Sequence, residues 1–192
     1  WGDAVNFEDA GSDEVRRFFC DNALMWMRDY HIDGLRLDAV HEFIDRSAIS
    51  FMEQLSAEVD VLSSMLGRRL VLIAESDLND PRTVMPREAG GQGMDAQWND
   101  DFHHALNAVL NERDRAGYYA DFGTVAQLAK ALRKMFVNDG CYSRYRRRSH
   151  GRPVDGLSAH HFVVFAQNHD QVGNRALGDR LEAAAGFERA KV

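Results

Sequence analysis

The stretch GLRLDAVHEF, residues 34–43, sets a cation and an anion two residues apart in a run that otherwise reads as an apolar strand. Alternate residues of a strand share a face, so Arg36 and Asp38 project together while Leu35 and Leu37 face the other way, with His41 three residues further on. Two more acids stand in comparable places. Glu75 follows the apolar run LVLIA, and Asp170, with Asn168, His169 and Gln171 around it, follows HFVVFAQ. Glycoside cleavage with retention needs such an inventory: an ionised carboxylate nucleophile and, about 5 to 5.5 Å away, a carboxylic acid that protonates the leaving oxygen and later activates water. Arg36 beside Asp38 favours the charged form that a nucleophile requires. An apolar setting behind LVLIA would favour the protonated form that an acid requires at Glu75. Asp170 could oppose the positive charge of an oxocarbenium-like transition state. Plainer uses exist for each: a buried structural ion pair for Arg36 and Asp38, a helix N-terminal acid for Glu75, a turn former before Gly173 for Asp170.

Acids so far apart in sequence converge only if the elements carrying them share one end of a sheet. Helical and extended patterns alternate along the chain. Residues 12–30 put Val15, Phe18, Phe19, Ala23, Trp26 and Met27 on one stripe after a Ser12 cap. A second stripe runs through Ile44, Ala48, Phe51, Met52, Leu55, Val59 and Leu62 and ends near Gly67. RLVLIAES, 69–76, has the continuous apolar character of a strand buried on both faces of a parallel sheet. DAQWND is a further strand, leading into a helix with Phe102, Ala105, Leu106 and Val109 on one side. Thr124 and Gln127 form a capping-box pattern ahead of Val125, Leu128, Ala129, Leu132 and Phe136, and HFVVFA is the last strand. Gly90–Gly93 and 143–152 read as long loops. Repeated strand–helix units of this kind predict an α/β sheet or barrel, in which the C-terminal strand ends share the face that carries the site.

Composition narrows the function classes. The chain has 192 residues, 45% hydrophobic and 28% charged, with a formal net charge of -7. That is enough for one sizeable core, and the acidic balance disfavours a general nucleic-acid surface. The basic run SRYRRRSHGR, with Tyr142 and Tyr145 beside and within it, reads as a solvated loop. Two cysteines, Cys20 and Cys141, match no metal-ligand spacing and predict free thiols in a reducing, cytoplasmic compartment. No apolar run reaches membrane-span length, so no membrane partner is expected. His103 and His104 in NDDFHH lie about 100° apart on a helix, without the spacing of a metal site.

GLRLDAVH, LIAES and QNHD, in this order and at these strand ends, resemble the nucleophile, acid/base and transition-state-stabiliser regions of the α-amylase superfamily of glycoside hydrolases. The resemblance implies that Asp38 is the nucleophile, Glu75 the general acid/base and Asp170 the stabiliser, with Arg36, His41 and His169 binding or orienting sugar. DAQWNDDFHHALN, GYYADFG and FVVFAQNHDQVGNR extend it toward the branch that releases trehalose from maltooligosyl trehalose. The same resemblance implies an α/β fold, a partial (β/α)8 TIM barrel holding about strands four to seven with their helices, within a single catalytic domain. The superfamily's other usual motif, an Asp and a His after strand three, would lie before Trp1. The chain is therefore expected to be an internal piece, inactive and prone to aggregate alone. The implied substrate is maltooligosyl trehalose or a related α-glucan, with no cofactor and no metal. Trp98 would offer an apolar face to a sugar ring, and Asp100, Asp101, His103, His104, Asn168 and Gln171 would contact substrate. An α-glucan branching enzyme or α-amylase is the alternative within the superfamily. A non-catalytic barrel binding sugar or a protein partner is the alternative outside enzymes.

Overall fold

A computed structural model of the chain describes residues 3–111 and 116–191, and it divides into two units: Trp1–Ser76 with Pro81–Trp98, and Asp77–Asp80 with Asn99–Val192. The first unit has the order α1 (Ser12–Arg28), β1 (Gly34–Leu37), α2 (Phe51–Leu66), β2 (Val71–Ala74) and β3 (Ala96–Trp98). β1 pairs parallel with β2 in the register Gly34↔Val71 through Leu37↔Ala74, and β2 pairs parallel with β3 through Ile73↔Ala96 and Ala74↔Gln97. Parallel strands joined through a helix are the repeating step of an α/β barrel, and the strands described do not close into one.

The helices that cover this sheet are fixed by polar as well as apolar contacts. α1 buries Arg16, Cys20, Ala23 and Met27, a helical stripe one step away from the one expected from sequence. Phe18 and Trp26, assigned to the core by periodicity, are 67% and 40% exposed. The cause is Arg16. Its guanidinium donates to Phe7 O (2.7 Å), to Ile49 O (3.1 Å) and to both oxygens of Asp45, a set that a surface arginine could not satisfy. The α1 N-cap is Gly11 rather than Ser12 and supplies no side-chain cap. α2 starts at Phe51 under a Ser50 cap that accepts from Glu53 N–H, so Ile44 and Ala48 precede the helix and are exposed. Its end at Gly67, φ 60°, is as expected. Phe7 stacks on Phe51 with ring centroids 4.3 Å apart, closing the apolar layer. In β2 only Leu72 and Ala74 are fully buried. Val71 and Ile73 are half-buried, so the strand is not covered equally on both faces as its apolar run suggested.

The second unit holds α3 (Asp100–Leu110), α4 (Val125–Lys134), β4 (Tyr142–Ser143), β5 (Arg148–Ser149), β6 (Phe162–Val163), α5 (His169–Gly173) and α6 (Leu181–Ala185). Ala105 and Ala108 of α3 pack with Phe122, Ala131 and Val137, and Leu106 and Leu110 pack with Leu181. The capping box on α4 forms as read, Thr124 accepting from Gln127 N–H and Gln127 accepting from Thr124 N–H. Val125 and Leu132, however, are exposed. The basic stretch is a hairpin, β4 antiparallel to β5, rather than a loop. Arg146 is drawn out of the solvated run by Asp77, at 2.7 Å. Gly151, φ 78°, is required here, since a Cβ would lie 1.8 Å from Asn138 O. The strand read over HFVVFA keeps ladder pairing only at Phe162–Val163, so Asp170 follows its strand by seven residues, in the first turn of α5.

The Arg16 cluster predicts a large effect from a single change. In the full-length protein, Arg16→Met should lower stability by roughly 3 to 5 kcal/mol, because it leaves the buried Asp45 carboxylate unpaired. Denaturant unfolding monitored by tryptophan fluorescence measures this, and Arg17→Met, at a half-exposed pair, should cost under about 1 kcal/mol.

Candidate active site

Asp38 and Glu75 each follow directly on a strand, and the Leu37↔Ala74 pairing puts them at equivalent ends of neighbouring parallel strands. The ladder continues one step beyond, Glu75 N–H donating to Leu37 O (2.9 Å) and Val40 N–H to Glu75 O (3.1 Å). Strand pairing therefore sets the two acids side by side on neighbouring strands. Arg36, on the same face, bridges them: Nη1 donates to Asp38 Oδ1 at 2.6 Å, and Nη2 lies 3.2 Å from Glu75 Oε2. Beneath the guanidinium lies Trp98, with Cζ 4.3 Å from the ring centroid. One face of that indole is thus taken by a cation instead of being offered to a sugar.

The carboxylates differ in setting. Asp38 is 76% exposed and Glu75 19%. Glu75 does not sit in an apolar pocket, as its position after LVLIA suggested. Its Oε2 accepts from Ala39 N–H at 2.7 Å and faces Arg36. His41, in the short turn Val40–Glu42, lies half-buried with Nε2 3.5 Å from Glu42 Oε1.

In the second unit the residues picked out by sequence separate into two groups. His169 is exposed and Asp170 half-buried in the first turn of α5, His169 Nε2 lying 3.3 Å from Asp170 Oδ1. Asn168 and Gln171 are instead spent on a capping box, Asn168 Oδ1 accepting from Asp170 N–H and Asn168 N–H donating to Gln171 Oε1. Asp100 opens α3, half-buried, after the Asn99 cap. Asp101 turns inward. Its Oδ2 accepts from Asn79 Nδ2 (3.0 Å), Val137 N–H (2.7 Å) and Asn138 N–H (2.7 Å), organising a buried turn. Burial pushes its carboxyl up to about 6, against the pull of those three donors.

His103 is a core residue. Its Nδ1–H donates to Ala166 O (2.6 Å), which leaves Nε2 to accept from Tyr119 O–H (2.7 Å), and its ring stacks on Phe165. His104 packs among Tyr118, Tyr119 and Phe122. Desolvation lowers the two imidazoles to about 4 and about 3. A cavity of about 490 Å³ in this unit, lined by Phe122, Lys130, Asn138 and Tyr142 among others, involves none of the candidate catalytic or substrate-binding residues. Asp101 and His103 are therefore core residues of this unit, and His104 is half-buried beside them. Sequence reasoning missed Asn79, the side-chain partner of Asp101, and the Ala39 amide on Glu75, and neither residue type signals its role.

No protein-family profile matches the chain. It is 53% identical over 97% of its length to the malto-oligosyltrehalose trehalohydrolase of Arthrobacter ramosus, of which it spans 32%. A crystal structure described as an alpha amylase of Salmonella typhimurium superposes with a TM-score of 0.82 at 37% identity, covering 93% of this chain and 31% of that one. The 1,4-alpha-glucan branching enzyme GlgB of Geobacillus stearothermophilus is 35% identical over 52% of the chain and 16% of its own length. The chain thus spans about a third of the curated trehalohydrolases it matches. The resemblance read from three short motifs holds along nearly the whole sequence, and the parallel α/β architecture is that of part of an amylase-type barrel.

Two outcomes are expected from the inward-facing groups of α3. Asp101→Ala should lower stability of the full-length protein by roughly 3 kcal/mol or more, since it strands three buried donors, as measured by chemical unfolding. Acid should also weaken the fold. Imidazoles depressed to about 4 and about 3 contribute fully above the unfolded value near 6.5 and withdraw that contribution as pH falls below it. Asp101, raised to about 6, works in the opposite direction between 6 and its ordinary 3.8. His150, lowered by its own burial, adds to the two imidazoles, so stability should fall as pH drops from 6 to 4. His104→Phe should make that fall shallower.

Proposed function

From the bridged carboxylates at adjacent strand ends, in a chain about half identical to malto-oligosyltrehalose trehalohydrolases, we propose that this chain supplies the catalytic acids of a retaining glycoside hydrolase. The substrate is maltooligosyl trehalose, cut at the α-1,4 bond next to its trehalose end. The observation that carries the reading is the single guanidinium of Arg36 shared by Asp38 and Glu75. Shared between two acids, it counters their mutual repulsion and keeps both within reach of one bond.

In the first step Asp38 attacks the anomeric carbon as Glu75 passes its proton to the departing trehalose oxygen, leaving a glycosyl ester on Asp38. Glu75, now a carboxylate, takes a proton from water, and that water breaks the ester to release maltooligosaccharide with the original α configuration. Asp170 opposes positive charge at the anomeric carbon in both transition states. His41 and His169 orient sugar hydroxyls. The protein works without a cofactor and in the cytoplasm. Trehalose selectivity belongs to the leaving-group side, because groups built to hydrogen-bond an α,α-1,1-linked pair are left unpaired by a maltosyl unit. With Asp101 and His103 buried and His104 enclosed by aromatic rings, that recognition falls to other side chains.

Product chromatography on the full-length protein tests this. Trehalose should leave maltotriosyl trehalose far faster than maltopentaose is shortened, and Asp38→Asn and Glu75→Gln should each lower turnover by at least about 10³-fold. Maltose and glucose without trehalose, or new α-1,6 branches, would reassign the protein to an amylase or a branching enzyme while leaving the acids in place.

A further inference from the structure

Between the two carboxylates lies one residue whose backbone is strained. Ala39 has φ 43° and ψ 43°, the left-handed region that an alanine enters only at a cost of about 1 to 2 kcal/mol. It directly follows Asp38, and its amide N–H points at the Glu75 carboxylate, 2.7 Å from Oε2. The next amide, Val40 N–H, donates to the Glu75 carbonyl at 3.1 Å, so two consecutive donors of this turn converge on the same residue, one on its side chain and one on its main chain. An extended conformation at Ala39 would redirect the chain from Val40 onward, so Val40 N–H could stay on Glu75 O only if the Asp38–Ala39 peptide turned and took its own N–H off Oε2. Nothing else about an alanine explains a left-handed turn here, since the strand pairing that precedes it, Leu37↔Ala74, makes no such demand.

We propose that Ala39 is a positioning residue for the acid/base, its left-handed turn holding the Glu75 carboxyl in the orientation from which it meets the glycosidic oxygen. The inference rests on Glu75 acting as general acid, and it deepens that reading: the geometry of the acid is set by a backbone amide on the neighbouring strand's turn, attached to the nucleophile itself. Misplacing Glu75 impairs only steps that need proton transfer. With a glycosyl fluoride, whose leaving group departs without a proton, ester formation is spared and only ester breakdown, where Glu75 activates water, is slowed.

The test compares maltotriosyl trehalose with α-maltotriosyl fluoride on the full-length protein. Ala39→Val, whose β-branch disfavours the left-handed region, should lower kcat on the trehalose substrate by at least about tenfold. KM should change little, and the initial burst of fluoride release from α-maltotriosyl fluoride, which reports ester formation alone, should keep the parent's rate. Ala39→Gly and Ala39→Asn, which enter that region readily, should retain both activities. If Ala39→Val does not fold, Ala39→Thr, β-branched as well, carries the same comparison. Glu75→Gln is the reference. If it loses the burst of fluoride release, the assignment of Glu75 as acid/base fails. If Glu75→Gln keeps that burst while a folded Ala39→Val or Ala39→Thr loses the burst and the trehalose reaction equally, or neither, the assignment stands and the role of Ala39 is overturned.

Discussion

Two carboxylates at the ends of adjacent parallel strands repel each other, and the first unit is arranged around the guanidinium that cancels this. Near a protein surface, where the effective dielectric is about 20 rather than about 80, such repulsion is several times stronger than in bulk water. Arg36 meets it from the same strand as Asp38, reaching Glu75 across the sheet while lying on Trp98. Each of these contacts depends on register. A one-residue slip between β1 and β2 would send Arg36 to the opposite face from Glu75, so the ladder that fixes Leu37 against Ala74 also fixes the charge arrangement. Trp98 joins a third strand to it and gives the cation an immobile, apolar bed.

The supports of that arrangement are polar as much as apolar. Arg16 ties α1 to the segment between β1 and α2 through Asp45 and the Ile49 carbonyl, and so anchors the chain leaving the Asp38 turn. In the second unit Asp101 does the same for the segment after α4, gathering Asn79, Val137 and Asn138 on one oxygen. Such buried charges gain little net stability over apolar packing, but they specify one arrangement of irregular backbone and penalise others heavily. That is the requirement of an α/β scaffold whose chemistry stands on turns beyond the strand ends.

Much of this is legible in sequence, and the failures have physical causes. The strand-end positions of Asp38 and Glu75 and the pairing of Arg36 with Asp38 come from period-two geometry and short apolar runs, and the Thr124–Gln127 capping box is visible as a pattern. The buried stripe of α1 departs from its sequence pattern because Arg16 is an arginine, and periodicity counts charge as surface even where six acceptor contacts await it. Asp101 and His103 look like ligand contacts in sequence because residue type says nothing about which side of a helix meets solvent. Their burial depends on Asn79 and Tyr119, 22 and 16 residues away. The turn at Ala39 is invisible in the same way, since a positive φ is advertised by glycine or asparagine and not by alanine.

The proposed chemistry turns on Asp38 forming a covalent bond to sugar. Incubating the full-length protein with 5-fluoro-α-maltotriosyl fluoride, which slows breakdown of the ester, and mapping the label by peptide mass spectrometry tests it most directly. One glycosyl adduct is expected, on the carboxylate of Asp38. A label on Glu75 or Asp170, or turnover of the reagent with no adduct and inverted product, would contradict it.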